Sequence, residues 1–228
     1  MADDKSIWNG TDLVNSQVIL IATKNKGKAS ELAALLNLAL VKDAAFNLNI
    51  ISLADWEISH EQTLAEPLEG AENFAENAAI KARYYAKTTG LPALADDSGL
   101  SVSALNGEPG VLSARYGGPG LDDAGRCRFL LKNLEGQSDR QAFFTSVLAL
   151  ADPVGEVICW SGQMEGMITE SPRGNNGFGY DPIFFYPSAN KTTAEMTAEE
   201  KNAVSHRSVS SAAFLADAGR VRQFLNMV

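Results

Sequence analysis

The sequence has few of the residues that build disulfide-bonded, membrane-embedded or polymer-binding proteins. Only two of its 228 residues are cysteines, Cys127 and Cys159, and their spacing fits no metal motif. Free thiols and a reducing, cytoplasmic environment are therefore expected. No apolar run reaches about 18 residues, which excludes a membrane-spanning helix. The first residues also lack the basic segment and apolar core of a secretion signal.

Positive charge is also scarce. The chain has 19 lysines and arginines against 28 acidic residues, which gives a formal net charge of -9. Such a surface disfavours nucleic-acid polymers, because these bind clustered positive charge. A few cations focused in a cleft would still hold a small phosphorylated ligand. The expected partner is therefore a small molecule, with no nucleic-acid polymer and no membrane.

Apolar residues, in contrast, make up 45% of the chain, which is enough for a substantial core. The length fits one domain, or two lobes that share a sheet. Residues 1–16 are polar and irregular and are predicted to form a flexible extension. Residues 17–228 are then left for a single folded domain.

Strand and helix patterns follow one another along this domain. Short β-branched runs predict buried strands over 17–22 and 49–53. Apolar residues at helical spacing predict a helix between them over 29–40. The remaining predicted elements are an acidic loop over 57–70, a helix over 72–89, a flexible loop over 111–120, a helix over 122–135, a hairpin with strands over 141–150 and 155–162, and a C-terminal helix over 209–228.

The rest of the sequence is interpreted around two adjacent carboxylates, Asp96 and Asp97. The surrounding pattern predicts a short buried strand that delivers both carboxylates to its end and then turns at Gly99. Because side chains alternate along a strand, the two should point to opposite faces. Buried carboxylates are unfavourable unless they are paired, hydrogen-bonded or bound to a cation. The stretch therefore indicates a ligand site, with an ordinary Asp-Ser-Gly turn as the alternative.

Two further stretches carry chemistry. The lysine-rich turn over 23–28 joins a strand to a helix, where backbone N–H groups and the helix dipole can hold an anion. Its spacing is not that of a P-loop, and solvated lysines on a plain connection are the alternative. The glycine-rich stretch over 174–182 can expose the Phe178 ring for stacking on a base, with a core phenylalanine as the alternative.

The last motifs lie near the C-terminus. Thr197 and Glu200 have capping-box spacing, which predicts a helix that starts at Thr197. The neighbours His206 and Arg207 place two donors together, although a lone histidine is more often structural.

Six segments in order resemble the inosine triphosphate pyrophosphatase family. They are residues 22–28, 74–78 with 81–83, 95–100, 109–111 with 113–116, 177–182, and 194–196 with 199–202 and 205–207. The resemblance runs from about residue 17 to the C-terminus. Two positions depart from the family pattern, because Lys24 and Ser208 each stand where the family usually has glycine.

The resemblance implies an elongated, two-lobed α/β fold around a long twisted mixed β-sheet, with a central active-site cleft. It also implies a homodimer that hydrolyses ITP, dITP or XTP to the monophosphate and pyrophosphate with Mg2+. Asp97 is the implied general base and, together with Glu69, the implied Mg2+ ligand; Glu66 is the alternative to Glu69. The implied substrate-binding residues are Thr23, Lys24, Asn25, Lys26, Gly27, Lys28, Lys81, Ser98, Phe178, Gly179, Tyr180, Asp181, Lys201, His206 and Arg207.

Two other functions stay open. A nucleotide-binding regulator would hold the ligand without hydrolysing it, but it would gain little from Asp97 beside the phosphates. A pyrophosphatase of modified pyrimidine nucleotides is the third reading. The donors of residues 205–207 favour a purine with a 6-oxo group instead.

Overall fold

The computed structural model describes residues 17–40, 48–70 and 72–225, so the predicted extension over 1–16 lies outside the described residues. Seven strands form one sheet in this part of the chain. They are β1 (Gln17–Ile21), β2 (Leu48–Ser52), β3 (Ala93–Val102), β4 (Gln141–Ala151), β5 (Val157–Ile168), β6 (Phe184–Tyr186) and β7 (Lys191–Thr192). The order across the sheet is β2-β1-β3-β4-β5-β6-β7.

The sheet is mixed, as predicted. β1 pairs in parallel with β2 and β3, whereas every other neighbouring pair is antiparallel. The α-helices are α1 (Lys26–Leu40), α2 (Leu53–Ser59), α3 (Phe74–Thr89), α4 (Asp123–Asn133), α5 (Ala198–Val204), α6 (His206–Ala216) and α7 (Ala218–Phe224). Within the described ranges, none of them combines the length and apolar character needed to cross a membrane.

Local signals explain where several helices begin. The Asn73 side chain accepts the Glu76 N–H at the start of α3. The Asp122 side chain accepts the Gly125 N–H at the start of α4. Thr197 and Glu200 form the predicted capping box, so α5 begins directly after Thr197. These side chains satisfy backbone N–H groups that have no partner inside the helix.

The strand that carries the two carboxylates differs from its prediction. β3 continues to Val102 and pairs with β4 along its whole length, so Asp96 and Asp97 lie in its middle. Gly99 does not turn the chain. A Cβ there would lie 2.4 Å from Ser113 Oγ and 2.5 Å from the Gly110 carbonyl oxygen. Glycine is required because a 3-10 helix, Gly110–Arg115, packs directly on the strand.

Three other predictions need correction. The acidic loop begins later than predicted, because α2 continues to Ser59. Ser52 caps this helix, and its Leu53 and Trp56 are buried. The loop over 111–120 begins inside the 3-10 helix Gly110–Arg115. The C-terminal helix starts earlier, since Ser205 accepts the Ser208 N–H and thereby begins α6 at His206. It is also interrupted at Asp217, and residues 226–228 lie outside the described residues.

Helices cover both faces of the sheet around β3. On one face, α3 packs against β3 and β4 around Ala95, Val147 and Tyr85. On the other face, α1 and α6 cover Leu94 and Leu148. Because side chains alternate, Asp97 shares the face of Ala95 and Asp96 shares the face of Leu94. The predicted division of the two carboxylates between opposite faces is confirmed by their partners, described next.

Candidate active site

Asp96 is a buried carboxylate with a complete set of partners. It is 1% exposed on the face covered by α1 and α6. Ser146 donates to Oδ1 at 2.7 Å, Ser98 donates to Oδ2 at 2.9 Å, and Lys28 Nζ lies 2.9 Å from Oδ2. Burial alone would raise the pKa of Asp96, but the charges of Lys28 and Arg207 hold it far below its ordinary value. Asp96 is therefore a permanently charged anchor.

Asp97, on the opposite face, is only half satisfied. Its Oδ1 accepts a hydrogen bond from Lys81 Nζ at 2.7 Å. Its Oδ2 is buried and has no hydrogen-bond partner among the described residues. Burial raises the pKa of Asp97 above its ordinary value and outweighs the opposing charge of Lys81. An orphaned buried oxygen of this kind is unfavourable unless a ligand or cation completes it.

Lys81 links Asp97 to the acidic loop. Its Nζ lies 3.2 Å from Glu69 Oε1 as well as 2.7 Å from Asp97 Oδ1. Burial alone would lower the pKa of Lys81, but the two carboxylates raise it, so the ammonium stays charged. Glu66 is exposed and forms no ion pair in the described part of the chain. The geometry therefore favours Glu69 over Glu66 as the second acidic member of this cluster.

The lysine-rich turn ends in the first residues of α1. Asn25 caps this helix, because its Oδ1 accepts the Lys28 N–H at 3.0 Å, and Thr23 Oγ1 accepts the Asn25 N–H. The N–H groups of Lys26 and Gly27 are left without a protein acceptor among the described residues. They are the groups at a helix N-terminus that bind anions.

Lys24 is directed elsewhere. Its Nζ donates to the Leu64 carbonyl and lies 3.6 Å from Glu57, which in turn accepts the Leu64 N–H. The residue that replaces the usual family glycine therefore ties the turn to the acidic loop that leads to Glu69.

Phe178 packs directly on the same turn. A Cβ on Gly27 would lie 2.7 Å from Phe178 Cδ1, so only glycine allows this approach. Lys201 Nζ and Arg207 Cζ lie 4.9 Å and 5.3 Å from the centre of the Phe178 ring.

Two carboxylates hold the loop that carries this ring. Asp181 Oδ2 accepts the Phe178 N–H at 2.9 Å, and Asp123 Oδ2 accepts the Gly179 N–H at 2.7 Å. The Tyr180 hydroxyl donates to the Ser113 carbonyl at 2.8 Å. The position of the Phe178 ring is therefore fixed before any ligand binds.

A continuous chain of ions runs behind the ring, and four of its six members are buried. Its members alternate in sign: Asp181, Lys201, Glu31, Arg207, Asp96 and Lys28. Glu31 is its central member, because its two oxygens lie 2.8 Å from Lys201 Nζ and 2.7 Å from Arg207 Nη1. Arg207 also donates to Ser98 at 2.7 Å and is 3% exposed. The alternating signs offset the cost of burying Asp181, Lys201, Arg207 and Asp96, and the partly exposed Glu31 and Lys28 complete the chain.

His206 is buried and neutral. Its ring stacks on Phe144 with centroids 4.8 Å apart, and its Nδ1 has no partner within the described ranges. Burial, reinforced by the charge of Arg207, lowers the pKa of His206 well below its ordinary value. A neutral imidazole with an unpartnered nitrogen can bond a ligand as donor or acceptor.

A cavity of about 410 Å3 brings most predicted site residues together. Its size is typical of sites for small ligands. The predicted residues that line it are Asn25, Lys26, Gly27, Lys28, Ser98, Phe178, Gly179, Tyr180, Asp181, Lys201, His206 and Arg207. The others, Thr23, Lys24, Glu69, Lys81 and Asp97, do not line it; the last three form the separate cluster on the other face of β3.

Six lining residues were not assigned to the site from the sequence, although the first three lie in segments that resemble the family: Gly99, Ser113, Ala114, Asp123, Arg126 and Phe144. Asp123 and Arg126 were predicted only as part of the helix over 122–135. Asp123 and Arg126 reach the cavity because α4 packs against the loop over 177–181. The local sequence pattern does not predict this packing.

The chain is similar to proteins of a known family. The model of the Ham1 family matches residues 19–217. The dITP/XTP pyrophosphatase of Desulfotalea psychrophila is 44% identical over 208 residues, covering 91% of this chain and 88% of the relative. The corresponding Thermus thermophilus protein is 46% identical over 197 residues, covering 86% and 88%. A HAM1 protein from Coxiella burnetii has the same fold, with a TM-score of 0.77, 40% identity, and coverage of 90% of this chain and 99% of that one.

The family match spans most of the chain, and the relatives exceed two fifths identity over nearly their whole length. The resemblance seen in the six sequence segments is thereby confirmed, and the chain belongs to the Ham1 family.

Proposed function

We propose that this protein hydrolyses the deaminated purine nucleotides ITP, dITP and XTP to the monophosphate and pyrophosphate. The observation that carries the proposal is the unpartnered Oδ2 of Asp97, which is buried beside Lys81 and Glu69. A regulator that only binds a nucleotide has no use for such an oxygen. The curated relatives named above are dITP/XTP pyrophosphatases, which supports the same activity.

The acidic cluster fits Mg2+. The described residues contain no group of three or more His, Cys, Asp and Glu side chains that would enclose a metal. Mg2+ needs less, because it binds through one or two carboxylates and completes its shell with waters and substrate phosphates. Asp97 and Glu69 would hold it, and Asp97 Oδ2 is the oxygen that lacks a partner. When bound, the ion neutralises charge on the phosphates and on the leaving pyrophosphate.

The chain supplies the other groups of the reaction. The N–H groups of Lys26 and Gly27 and the dipole of α1 bind phosphate oxygens. Lys81 adds a positive charge in the cluster with Asp97. Asp97 orients a water and accepts its proton while the water oxygen bonds to the α-phosphorus. The bond to the bridging oxygen breaks, and pyrophosphate leaves with that oxygen.

The base is recognised at the far end of the cavity. The base stacks on the Phe178 ring, which its loop holds in place. His206 Nδ1 is a buried nitrogen without a hydrogen-bond partner in the described part of the chain, and Arg207 Nε makes no hydrogen bond there although it lies 3.5 Å from Asp96 Oδ2. They would donate to the 6-oxo group of hypoxanthine or xanthine, whereas adenine presents an amino donor there. A homodimer and a cytoplasmic location remain predictions of the family resemblance.

Product analysis tests the proposal. Purified protein with Mg2+ should convert ITP, dITP and XTP to monophosphate and pyrophosphate, and should leave ATP largely intact. EDTA should stop the reaction, and added Mg2+ should restore it. Release of diphosphate and orthophosphate would contradict attack at the α-phosphorus. Tight binding of these nucleotides without turnover would favour the regulator instead.

A further inference from the structure

Arg126 lines the same cavity as the base-binding residues and has no role in the proposed function. It lies in the first turn of α4, and its side chain is 18% exposed. The guanidinium donates from Nη1 to the Leu121 carbonyl at 2.5 Å and from Nη2 to Asp123 Oδ1 at 2.5 Å. It carries more N–H groups than these two bonds use. Among the described residues, the remaining donors have no acceptor.

The structure fixes Arg126 relative to the stacking ring. Asp123, its ion-pair partner, also accepts the Gly179 N–H, and Gly179 follows Phe178 directly. Tyr180 adds a second tie between this loop and the chain before α4, through the Ser113 carbonyl. A base stacked on Phe178 therefore lies in a cavity with a fixed cation in its α4 wall.

We infer that Arg126 recognises position C2 of the base and selects xanthine nucleotides. The inference rests on the proposed function, in which the 6-oxo edge faces His206 and Arg207 on α6 and the C2 edge is left for another wall. Xanthine has an oxo group at C2, hypoxanthine a hydrogen, and guanine an amino group. Arginine has donors only, so it bonds the oxo group of xanthine and opposes the amino donor of guanine.

Charge strengthens the same preference. Xanthine nucleotides lose a ring proton near neutral pH, and the resulting anion is attracted by a guanidinium. The carboxylates of the cavity cannot favour guanine instead, because their oxygens already accept protein donors. Asp123 is bonded by Arg126 and Gly179, and Asp181 is bonded by Thr193, Phe178 and Lys201. Each of these oxygens therefore already accepts a protein donor, which makes it a weaker acceptor for the amino group of guanine.

The test compares kcat/KM for XTP, ITP and GTP, three substrates with the same ribose. The variants are Arg126→Met, which keeps bulk but removes every donor, and Arg126→Lys, which keeps the charge. Arg128→Met is the matched control, because Arg128 is exposed on the same helix and does not line the cavity. Assays are run below and above the pH at which xanthine loses its ring proton.

In Arg126→Met, the XTP/ITP ratio should fall about tenfold or more, as expected for a lost charge-assisted hydrogen bond. The GTP/ITP ratio should rise. In the wild type the XTP/ITP ratio should rise with pH, and in Arg126→Met that rise should flatten. Arg126→Lys should retain part of the preference, and Arg128→Met should match the wild type.

An unchanged XTP/ITP ratio in Arg126→Met, with the wild type active on both substrates, would overturn this inference and leave the proposed function standing. A wild type that hydrolyses neither nucleotide would overturn both. ITP turnover by each variant also reports that it has folded.

Discussion

Asp96 and Asp97 are neighbours in the chain, yet they belong to two differently built regions. Asp96 joins a chain of alternating charges in which both of its oxygens are bonded. Asp97 lies in an open cluster with Lys81 and Glu69, and one of its oxygens has no partner in the described ranges. One carboxylate is completed by the protein, and the other is left for a ligand to complete.

The difference separates the residues that recognise the base, here called the base end, from the cluster of Asp97, Lys81 and Glu69, here called the reaction end. The base end is rigid before binding, because the ion chain and the loop carboxylates hold Phe178, Lys201 and Arg207 in place. Such preorganisation reduces the entropy lost on binding. The reaction end retains an unsatisfied oxygen whose charge is disfavoured by burial until substrate and cation arrive.

The largest expected effect is on the reaction end. Asp97→Asn keeps the size of the side chain but removes the charge that accepts a proton and binds a cation. The kcat for dITP should fall about 10^3-fold, within the range typical of a lost general base. Steady-state kinetics would show this, with circular dichroism to confirm the fold. A rate near that of the wild type would remove Asp97 from the mechanism.

A smaller effect is expected at the centre of the ion chain. Glu31→Gln removes the charge shared by Lys201 and Arg207, the two cations that contact the Phe178 ring. The kcat/KM for dITP should fall roughly tenfold to a hundredfold, as for lost hydrogen bonds to charged groups. Glu200→Gln is the matched control, because it removes the charge of an exposed ion pair with Lys191, while glutamine can still accept the Thr197 N–H in the capping box. An equal fall in kcat/KM for the two variants would show that the chain of ions has no special role in substrate binding.

The smallest effect concerns pH and stability. The folded state holds His206 neutral, with its pKa below the ordinary 6.5, because of burial and the charges of Arg207, Lys201 and Lys28, which outweigh Asp96. The unfolded chain binds this proton more readily, so stability is lost as pH falls through about 6.5. His206→Gln should remove about 1 to 2 kcal/mol of the loss between about pH 7 and about pH 5.

Urea unfolding at both pH values measures this difference. His60→Gln, at the exposed second histidine, controls for the loss of an imidazole as such. If the unfolding free energy of His206→Gln depends on pH as strongly as that of the wild type, other groups cause the loss of stability in acid.

The sequence predicted the features that depend on residues close together in the chain. Alternation along a strand placed Asp96 and Asp97 on opposite faces, and the capping-box spacing located the start of α5. Local pattern failed at Gly99, where the glycine allows a distant 3-10 helix to pack and does not turn the chain.

The partners within the site could not be predicted in the same way. Glu31 meets Lys201 and Arg207 across about 170 residues of sequence, a contact created only by packing α1 against α6. Arg126 likewise enters the cavity because α4 is tied to the Phe178 loop. Side chains of this kind look like ordinary solvated charges until the fold is known.

The protein completes the hydrogen bonds of Asp96 and leaves those of Asp97 incomplete, and unfolding of two matched variants tests this difference most directly. Urea titration without nucleotide or metal should show that Asp96→Asn loses about 3 kcal/mol or more, because Lys28 and Arg207 lose their buried partner. Asp97→Asn should change the unfolding free energy by less than about 1 kcal/mol, since Lys81 keeps Glu69 and the unpartnered oxygen no longer carries charge. Equal losses, or a larger loss for Asp97→Asn, would contradict the account.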